Sequence, residues 1–149
     1  MTSTLENYWK DLKANATTYN WRNTVYDGNH CKINLSRGIE ITPGFNSHQL
    51  NIIDKTDNNI FVNLQFSPDI NISPNVKSKI EKFIIDNLTK YELSKFDFTV
   101  TNNKYTKFFI AKAINLDNKE ILNAGEHKIW HTQMIKIMHE AYKSIENSL

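Results

Sequence analysis

The amino-acid sequence predicts an α+β fold with three main helices and a single antiparallel sheet of five or six strands. Two hydrophobic rhythms support this prediction. Apolar residues recur at helical spacing in three segments and alternate with polar residues in five others. The segments follow the order α-β-β-β-α-β-β-α. Consecutive strands without an intervening helix indicate antiparallel pairing, because parallel strands need a long crossover connection.

Length and composition predict one domain covering residues 1–149. The hydrophobic content of 40% and the charged content of 23% are ordinary for a globular protein. The single cysteine, Cys31, excludes an internal disulfide and fits a reducing compartment. No stretch approaches the roughly 20 apolar residues that cross a bilayer, and the first residues lack a secretory signal pattern. We therefore expect a cytoplasmic protein without a membrane contact.

The charged residues give little support to nucleic-acid binding. The net charge is +2, and 16 of the 18 cationic side chains are lysines rather than arginines. Arginine is the residue that most often reads bases and grips phosphates. Asn, Ile and Lys make up 54 of the 149 residues, and AT-rich codons encode all three. We interpret this bias as that of an AT-rich bacterial or phage genome.

The first helix is predicted over Leu5–Tyr19. A capping box of Ser3 and Glu6 marks its start, and each of the two side chains is placed to accept from the other residue's backbone N–H. Its apolar residues fall on one narrow stripe at helical spacing, which predicts a docking face on the domain's own sheet. The members of this stripe are Leu5, Tyr8, Trp9, Leu12, Ala16 and Tyr19.

The next predicted element is a strand from Cys31 to Ile41. Apolar and polar residues alternate along it, which is typical of a strand with one buried face. We expect Pro43 and Gly44 to end it. The sequence also leaves room for one extra strand near Trp21.

Two further strands complete the first group. Leu50 and Ile52 mark one of them, and the run Ile60–Phe66 marks the other. Asn63 and Gln65 alternate with the apolar residues of that run, so we expect them on the opposite face of the sheet.

The second half of the chain predicts a helix, two strands and a last helix. Ser73 and Pro74 begin the helix, as a hydroxyl N-cap and a proline in the first turn, and the helical pattern continues to Leu88. The strands are expected over Phe96–Val100 and Phe108–Ile114, the latter in the interior of the sheet because it is apolar on both faces. The last helix is expected to begin at about Glu126.

A histidine pair on the last helix is the densest candidate for chemistry. His127 and His131 are four residues apart and share one helical face, which is the spacing of a two-histidine metal clamp. The zincin motif would need a glutamate directly after His127, and Lys128 stands there. Both histidines lie on or beside the apolar stripe. We expect them to bond backbone groups near a sheet edge, with a metal site or a pH-sensitive contact as the alternatives.

Two surface features are candidates for partner binding. The last helix carries a basic stripe opposite its apolar stripe. This stripe is either a solvated face or a contact surface for an acidic partner or a phosphate backbone. On the second helix, Ile85 points away from the buried stripe and is a candidate subunit contact in a two-fold homodimer. The stripe contains Lys128, Thr132, Lys136, His139 and Lys143.

No nucleotide-binding or hydrolase motif occurs in the chain, so we predict no catalytic residue and no cofactor. The leading hypothesis is a non-enzymatic cytoplasmic module that binds a macromolecule through its sheet face or outer helices. The expected partner is a protein. A second is a small enzyme or metal-binding domain that uses His127 and His131 with His30 or His48. A third is a nucleic-acid-associated domain that uses the lysine stripe.

The element order and length resemble those of the small homodimeric chaperones of type III secretion effectors. The resemblance lies in the order of the elements along the whole chain, and no sequence motif contributes to it. It implies helices flanking a strongly bent sheet, and a dimer that binds an extended, unfolded client segment. Immunity proteins, antitoxin-like proteins and accessory domains of restriction-type nucleases share the same element order.

Overall fold

The computed structural model describes residues 4–22, 30–46, 59–90, 97–102, 104–113 and 125–149. These residues form three α-helices and one five-stranded antiparallel sheet, so the predicted class and element order are confirmed. None of the described helices is long and apolar enough to cross a membrane. In chain order the elements are α1 (Thr4–Ala14), β1 (Ile33–Ser36), β2 (Ile39–Asn46), β3 (Asn59–Phe66), α2 (Pro74–Lys90), β4 (Asp97–Asn102), β5 (Thr106–Ala113) and α3 (Gly125–Ile145), followed by a 3-10 turn at Glu146–Ser148.

The strand order across the sheet is β1-β2-β3-β5-β4. The prediction that the Phe108–Ile114 run is interior is confirmed, because β5 pairs with β3 on one side and with β4 on the other. The predicted extra strand near Trp21 is a single antiparallel bridge from Trp21 to Ile33 on the outer edge of β1.

The first group of strands differs from the prediction. The expected strand from Cys31 to Ile41 is a hairpin, β1 and β2, that turns at Arg37 and Gly38. The expectation that Pro43 and Gly44 end a strand is wrong, since both lie inside β2. Proline is tolerated there because Pro43 lies beyond the residues of β2 that pair with β1, so its missing N–H costs no bond between those strands. Its carbonyl still accepts from the Cys31 N–H at 3.1 Å. The strand predicted around Leu50 and Ile52 lies outside the described residues.

The helix boundaries are close to those predicted, apart from the end of α1. That helix ends at Ala14 rather than Tyr19, and a sequence of turns follows. The residues after it, Asn15 and two threonines beyond Ala16, have low helix propensity, which accounts for the early end. Ser73 caps α2 as predicted, because its hydroxyl oxygen accepts from the Val76 N–H at 3.2 Å. The proposed cap residue of α1, Ser3, is outside the described part of the chain.

One hydrophobic core unites the three helices with a single face of the sheet. Alternate residues of β3 and β5 enter it, and the buried side chains of α1, α2 and α3 belong to the same cluster. The residues between them point to the opposite face, where Asn63 and Gln65 lie as predicted. The strand residues that face the helices at the centre of the sheet are Ile60, Val62, Leu64, Phe66, Phe108 and Ile110.

The hairpin turn requires a glycine. Gly38 has a φ of +82°, a conformation that L side chains rarely adopt. A Cβ atom at this position would lie 2.7 Å from the Ser67 hydroxyl oxygen. The Gly38 carbonyl also accepts from the Ser67 N–H at 2.8 Å, which ties the turn to the end of β3.

We expect Gly38→Ala to lower the free energy of unfolding by about 1–3 kcal/mol, from the unfavourable φ and the steric overlap together. Gly125→Ala is the matched control, because nothing lies within 4 Å of a Cβ atom built at Gly125. Urea denaturation of the two variants beside the wild type measures both effects. Equal stabilities for the two variants would contradict the strained turn.

Candidate functional site

His131 is the most buried polar side chain of the helices, with none of its surface exposed. Its Nε2 lies 3.1 Å from the Gly44 carbonyl oxygen on β2 and 3.2 Å from the Phe61 carbonyl oxygen on β3. Its Nδ1 lies 2.6 Å from the Tyr8 hydroxyl on α1. Since a carbonyl can only accept, Nε2 carries the proton and donates, and Nδ1 accepts from Tyr8. One imidazole therefore links α3, α1 and two strands.

This environment keeps the His131 ring neutral. Burial lowers its pKa to about 3, although the two backbone carbonyls act in the opposite direction. The rings of Tyr8, Trp9, Phe45 and Trp130 surround it, with centroids between 5.1 and 5.8 Å away. An imidazole with both nitrogens engaged inside an aromatic shell has no lone pair free for a metal or a substrate. The geometry thus gives His131 the backbone-bonding role expected from the sequence. Its partners lie on the interior strands β2 and β3, so the expected position near a sheet edge is wrong.

His127 lies one turn before His131 but is not joined to the same network. Its side chain is buried, and its Nε2 has no hydrogen-bond partner among the described residues. Burial lowers its pKa, with Glu126 raising it and Lys112 lowering it. Within the described ranges, no group of three histidine, cysteine or carboxylate side chains is placed to hold a metal. His30 is exposed and forms an isolated β-bridge with Gly44 on β2, the residue whose carbonyl accepts from His131. His48 is outside the described residues.

The basic stripe on α3 does not form one continuous cationic surface. Lys128 is only 21% exposed in its side chain, pairs with Asp11 of α1 at 3.0 Å, and lies 5.8 Å from the Tyr8 ring centroid. Lys136 is exposed, and Lys143 is exposed and pairs with Glu146 at 3.4 Å. The stripe is therefore divided between an internal contact of the fold and two lysines that face outward.

Ile85 lies on the surface of α2, as the sequence indicates, with 48% of its area exposed. Lys82 and Asp86 form an ion pair at 2.8 Å on the same helix. Ile129 on α3, not singled out from the sequence, is 60% exposed. The two exposed isoleucines lie on different helices.

The sheet face opposite the core is a larger candidate surface. We call it the helix-free face, because the described helices all contribute their buried side chains to the core on the other side. Antiparallel register places its side chains in neighbouring rows across β2, β3 and β5. It is formed by Glu40, Thr42, Phe61, Asn63, Gln65, Lys107 and Phe109.

Polar side chains are buried at the centre of the helix-free face. Thr42 and Asn63 are directly opposite each other on β2 and β3, and Asn63 is only 3% exposed. The Thr42 hydroxyl oxygen and the Asn63 carboxamide oxygen have no hydrogen-bond partner in the described structure. A buried polar atom needs a hydrogen-bond partner, so the donor to these two oxygens comes from outside the described residues, as an ordered water or as a group of a ligand.

Two aromatic rings stand beside these oxygens. Phe61 and Phe109 occupy diagonal positions on β3 and β5, with ring centroids 4.9 Å apart and ring planes 15° apart. Both are partly exposed, and neither belongs to the hydrophobic core. The sequence predicted β5 to be apolar on both faces, yet the pairing of Phe109 with Phe61 depends on the register of β3 and β5, which the sequence pattern does not fix.

We expect Tyr8→Phe to lower the free energy of unfolding by about 1–3 kcal/mol, because it leaves the buried Nδ1 of His131 without a donor. Tyr19→Phe is the control, since the Tyr19 hydroxyl has no hydrogen bond to another described residue, and its loss should cost less than about 0.5 kcal/mol. Chemical denaturation of both variants tests the difference. A Tyr8→Phe variant as stable as the wild type would mean that the bond contributes nothing net.

Comparison of the chain with protein-family models, curated proteins and solved structures finds no match. The likeness to secretion chaperones therefore depends on element order alone, and the function has to be argued from the residues themselves.

Proposed function

We propose that the protein is a non-enzymatic binding module that recognises an extended segment of a partner protein through the helix-free face. The observation that carries the proposal is the partly exposed Phe61–Phe109 pair beside the buried, unpartnered oxygens of Thr42 and Asn63. Apolar surface next to polar atoms without partners is the composition of a binding site rather than of an ordinary solvated sheet face.

A peptide segment matches this face. Its apolar side chains can cover the partly exposed phenylalanine pair, and its backbone offers one N–H donor per residue. The Thr42 and Asn63 oxygens are buried in the unbound chain, so they accept from the peptide only after the groups that cover them move aside. Aromatic residues packed at the centre of a contact surface carry much of the binding energy in protein interfaces. Lys107 and Glu40, which flank Gln65 in the same row, would form a charged rim around that centre.

The charge of the helix-free face favours a peptide over a nucleic acid. Lys107 is the one cation among the residues that define this face, and Glu40 lies in the same row, whereas binding to a nucleic-acid backbone depends on several cations. The nucleic-acid alternative retains Lys136 and Lys143 on α3 as its candidate contacts, since Lys128 is paired with Asp11.

Self-association is a secondary proposal, supported by the exposed side chain of Ile85 on α2. It places a two-fold contact on a helix that lies on the core side of the sheet, so it leaves the helix-free face available. The chain has a single cysteine, Cys31, and so no internal disulfide, which fits a reducing compartment, for which we propose the cytoplasm of a bacterium or of a phage-infected cell.

Selection of random linear peptides displayed on phage tests the main proposal. The wild type should enrich a set of peptides with apolar and aromatic side chains, and the Phe61→Ser/Phe109→Ser double variant should bind them at least about tenfold more weakly. Ile129→Ser is the matched control, because it removes an exposed apolar side chain from another surface and should leave binding unchanged. NMR shifts of wild-type β3 and β5 amides on adding a selected peptide locate the site without any variant.

Three results would overturn the proposal. One is the absence of enriched peptides, and another is equal binding to the wild type and the double variant. The third is tight, salt-dependent binding of mixed-sequence single-stranded DNA that the double variant loses, which would make the ligand a nucleic acid. Loss of that DNA binding in Lys136→Glu/Lys143→Glu instead would assign it to α3.

A further inference from the structure

A polar surface cavity of about 440 Å³, widely open to solvent, lies beside the turn of the β1–β2 hairpin. Its described lining contains one apolar side chain, Leu35, and otherwise polar residues and a glycine. The two arginines of the chain, Arg22 and Arg37, both line it. They are fifteen positions apart in sequence, so the folding of the hairpin is what brings them to one cavity.

Backbone hydrogen bonds hold both arginines in place. The Arg22 N–H donates to the Lys32 carbonyl at 2.8 Å, and the Asn34 N–H donates to the Asn20 carbonyl at 2.9 Å, so the segment before the hairpin lies along β1. Arg37 precedes Gly38 in the turn that Ser67 anchors at 2.8 Å. The cavity therefore has fixed walls on both sides.

The charges around the cavity do not balance. Glu40 is the one carboxylate in its described lining, and it pairs with Arg22 at 3.1 Å and with Lys32 at 3.7 Å. Arg37 forms no ion pair or side-chain hydrogen bond with any residue that the structure describes. Arg22, Arg37 and Glu40 are the charged residues of the described lining, and Lys32, which contacts Glu40 from outside the lining, is a third cation. Counted together, these groups carry an excess of two positive charges. The bond to Glu40 uses one of the two terminal nitrogens of Arg22, so most of its five N–H donors are unused.

We propose that this cavity binds a phosphate monoester between Arg22 and Arg37. A phosphate monoester carries about −1.5 to −2 charges near neutral pH, which matches the local excess, whereas a carboxylate or a phosphodiester carries one. A guanidinium group binds phosphate oxygens with two parallel N–H donors, and the carboxamides of Asn20 and Asn34, which also line the cavity, offer further donors. The cavity shares Glu40 with the rim of the helix-free face, but neither phenylalanine of that face lines it, so each site can be tested without the other.

Side-chain NMR gives a direct test, since the chain contains only two arginine Nε–H groups. Methyl phosphate, added at constant ionic strength, should shift both signals with saturation. Dimethyl phosphate, the matched diester, and acetate should bind at least about tenfold more weakly because each brings one charge. Linear, unsaturable shifts, or equal binding of the monoester and the diester, would overturn the proposal.

Removing a positive charge from the cavity and removing its negative charge should change the affinity for methyl phosphate in opposite directions. Arg37→Gln, at an exposed turn position, should weaken methyl phosphate binding about tenfold or more, because it removes charged hydrogen bonds. Glu40→Gln should tighten it about threefold, because it removes the opposing carboxylate. Lys136→Gln, at an exposed position on α3 outside the lining of the cavity, should change nothing. Weaker binding by Glu40→Gln in a folded protein would contradict the charge argument.

A final pair of probes distinguishes the sources of the phosphate. A phosphoserine peptide and thymidine 5′-monophosphate present the same monoester on a protein and on a nucleotide. Tighter binding of either probe than of methyl phosphate, lost in Arg37→Gln, identifies its source. If both bind no better than methyl phosphate, the site recognises the free phosphate group alone. Failure of both probes and of methyl phosphate removes the site but leaves the peptide surface untouched.

Discussion

The arrangement of the fold depends on one buried imidazole. His131 of α3 donates to carbonyls of two adjacent strands and accepts from the Tyr8 hydroxyl of α1. These bonds fix where α3 crosses the sheet and hold α1 against α3 on the same side. They form on the face where the helices pack, and the other face of the sheet carries none of the described helices.

The two sheet faces consequently have different chemistry. The core face is apolar and continuous, whereas the helix-free face combines buried polar oxygens with two partly exposed phenylalanines. Each of those oxygens costs free energy when it is buried without a donor. Their presence on the same face as the exposed rings is why we propose binding at this surface. The arginine cavity lies near the edge of the same sheet, where β1 and β2 turn.

The sequence predicts the class and order of the elements because the helical and strand periods are long and distinct. It does not reveal the β1–β2 hairpin, since Leu35 and Ile39 are an even number of residues apart and the alternation continues through the turn. The backbone-bonding role of His131 follows from its place beside the apolar stripe. Its partner Tyr8 is 123 residues away, and no local pattern connects the two. The pairing of Phe61 with Phe109 depends on the register of β3 and β5. The placement of Arg22 and Arg37 at one cavity depends on the folding of the β1–β2 hairpin.

The most direct test of the central claim is an NMR titration of the histidine side chains. A folded-state pKa near 3, below the ordinary value of 6.5, means that the unfolded chain takes up the proton first. Stability should therefore fall as the pH drops below about 6.5, by up to about 1.4 kcal/mol per pH unit. The account predicts that the His131 ring stays neutral in the folded protein throughout this range, with its proton on Nε2. A His131 that titrates near 6.5, or that carries its proton on Nδ1, would contradict the buried link between the helices and the sheet.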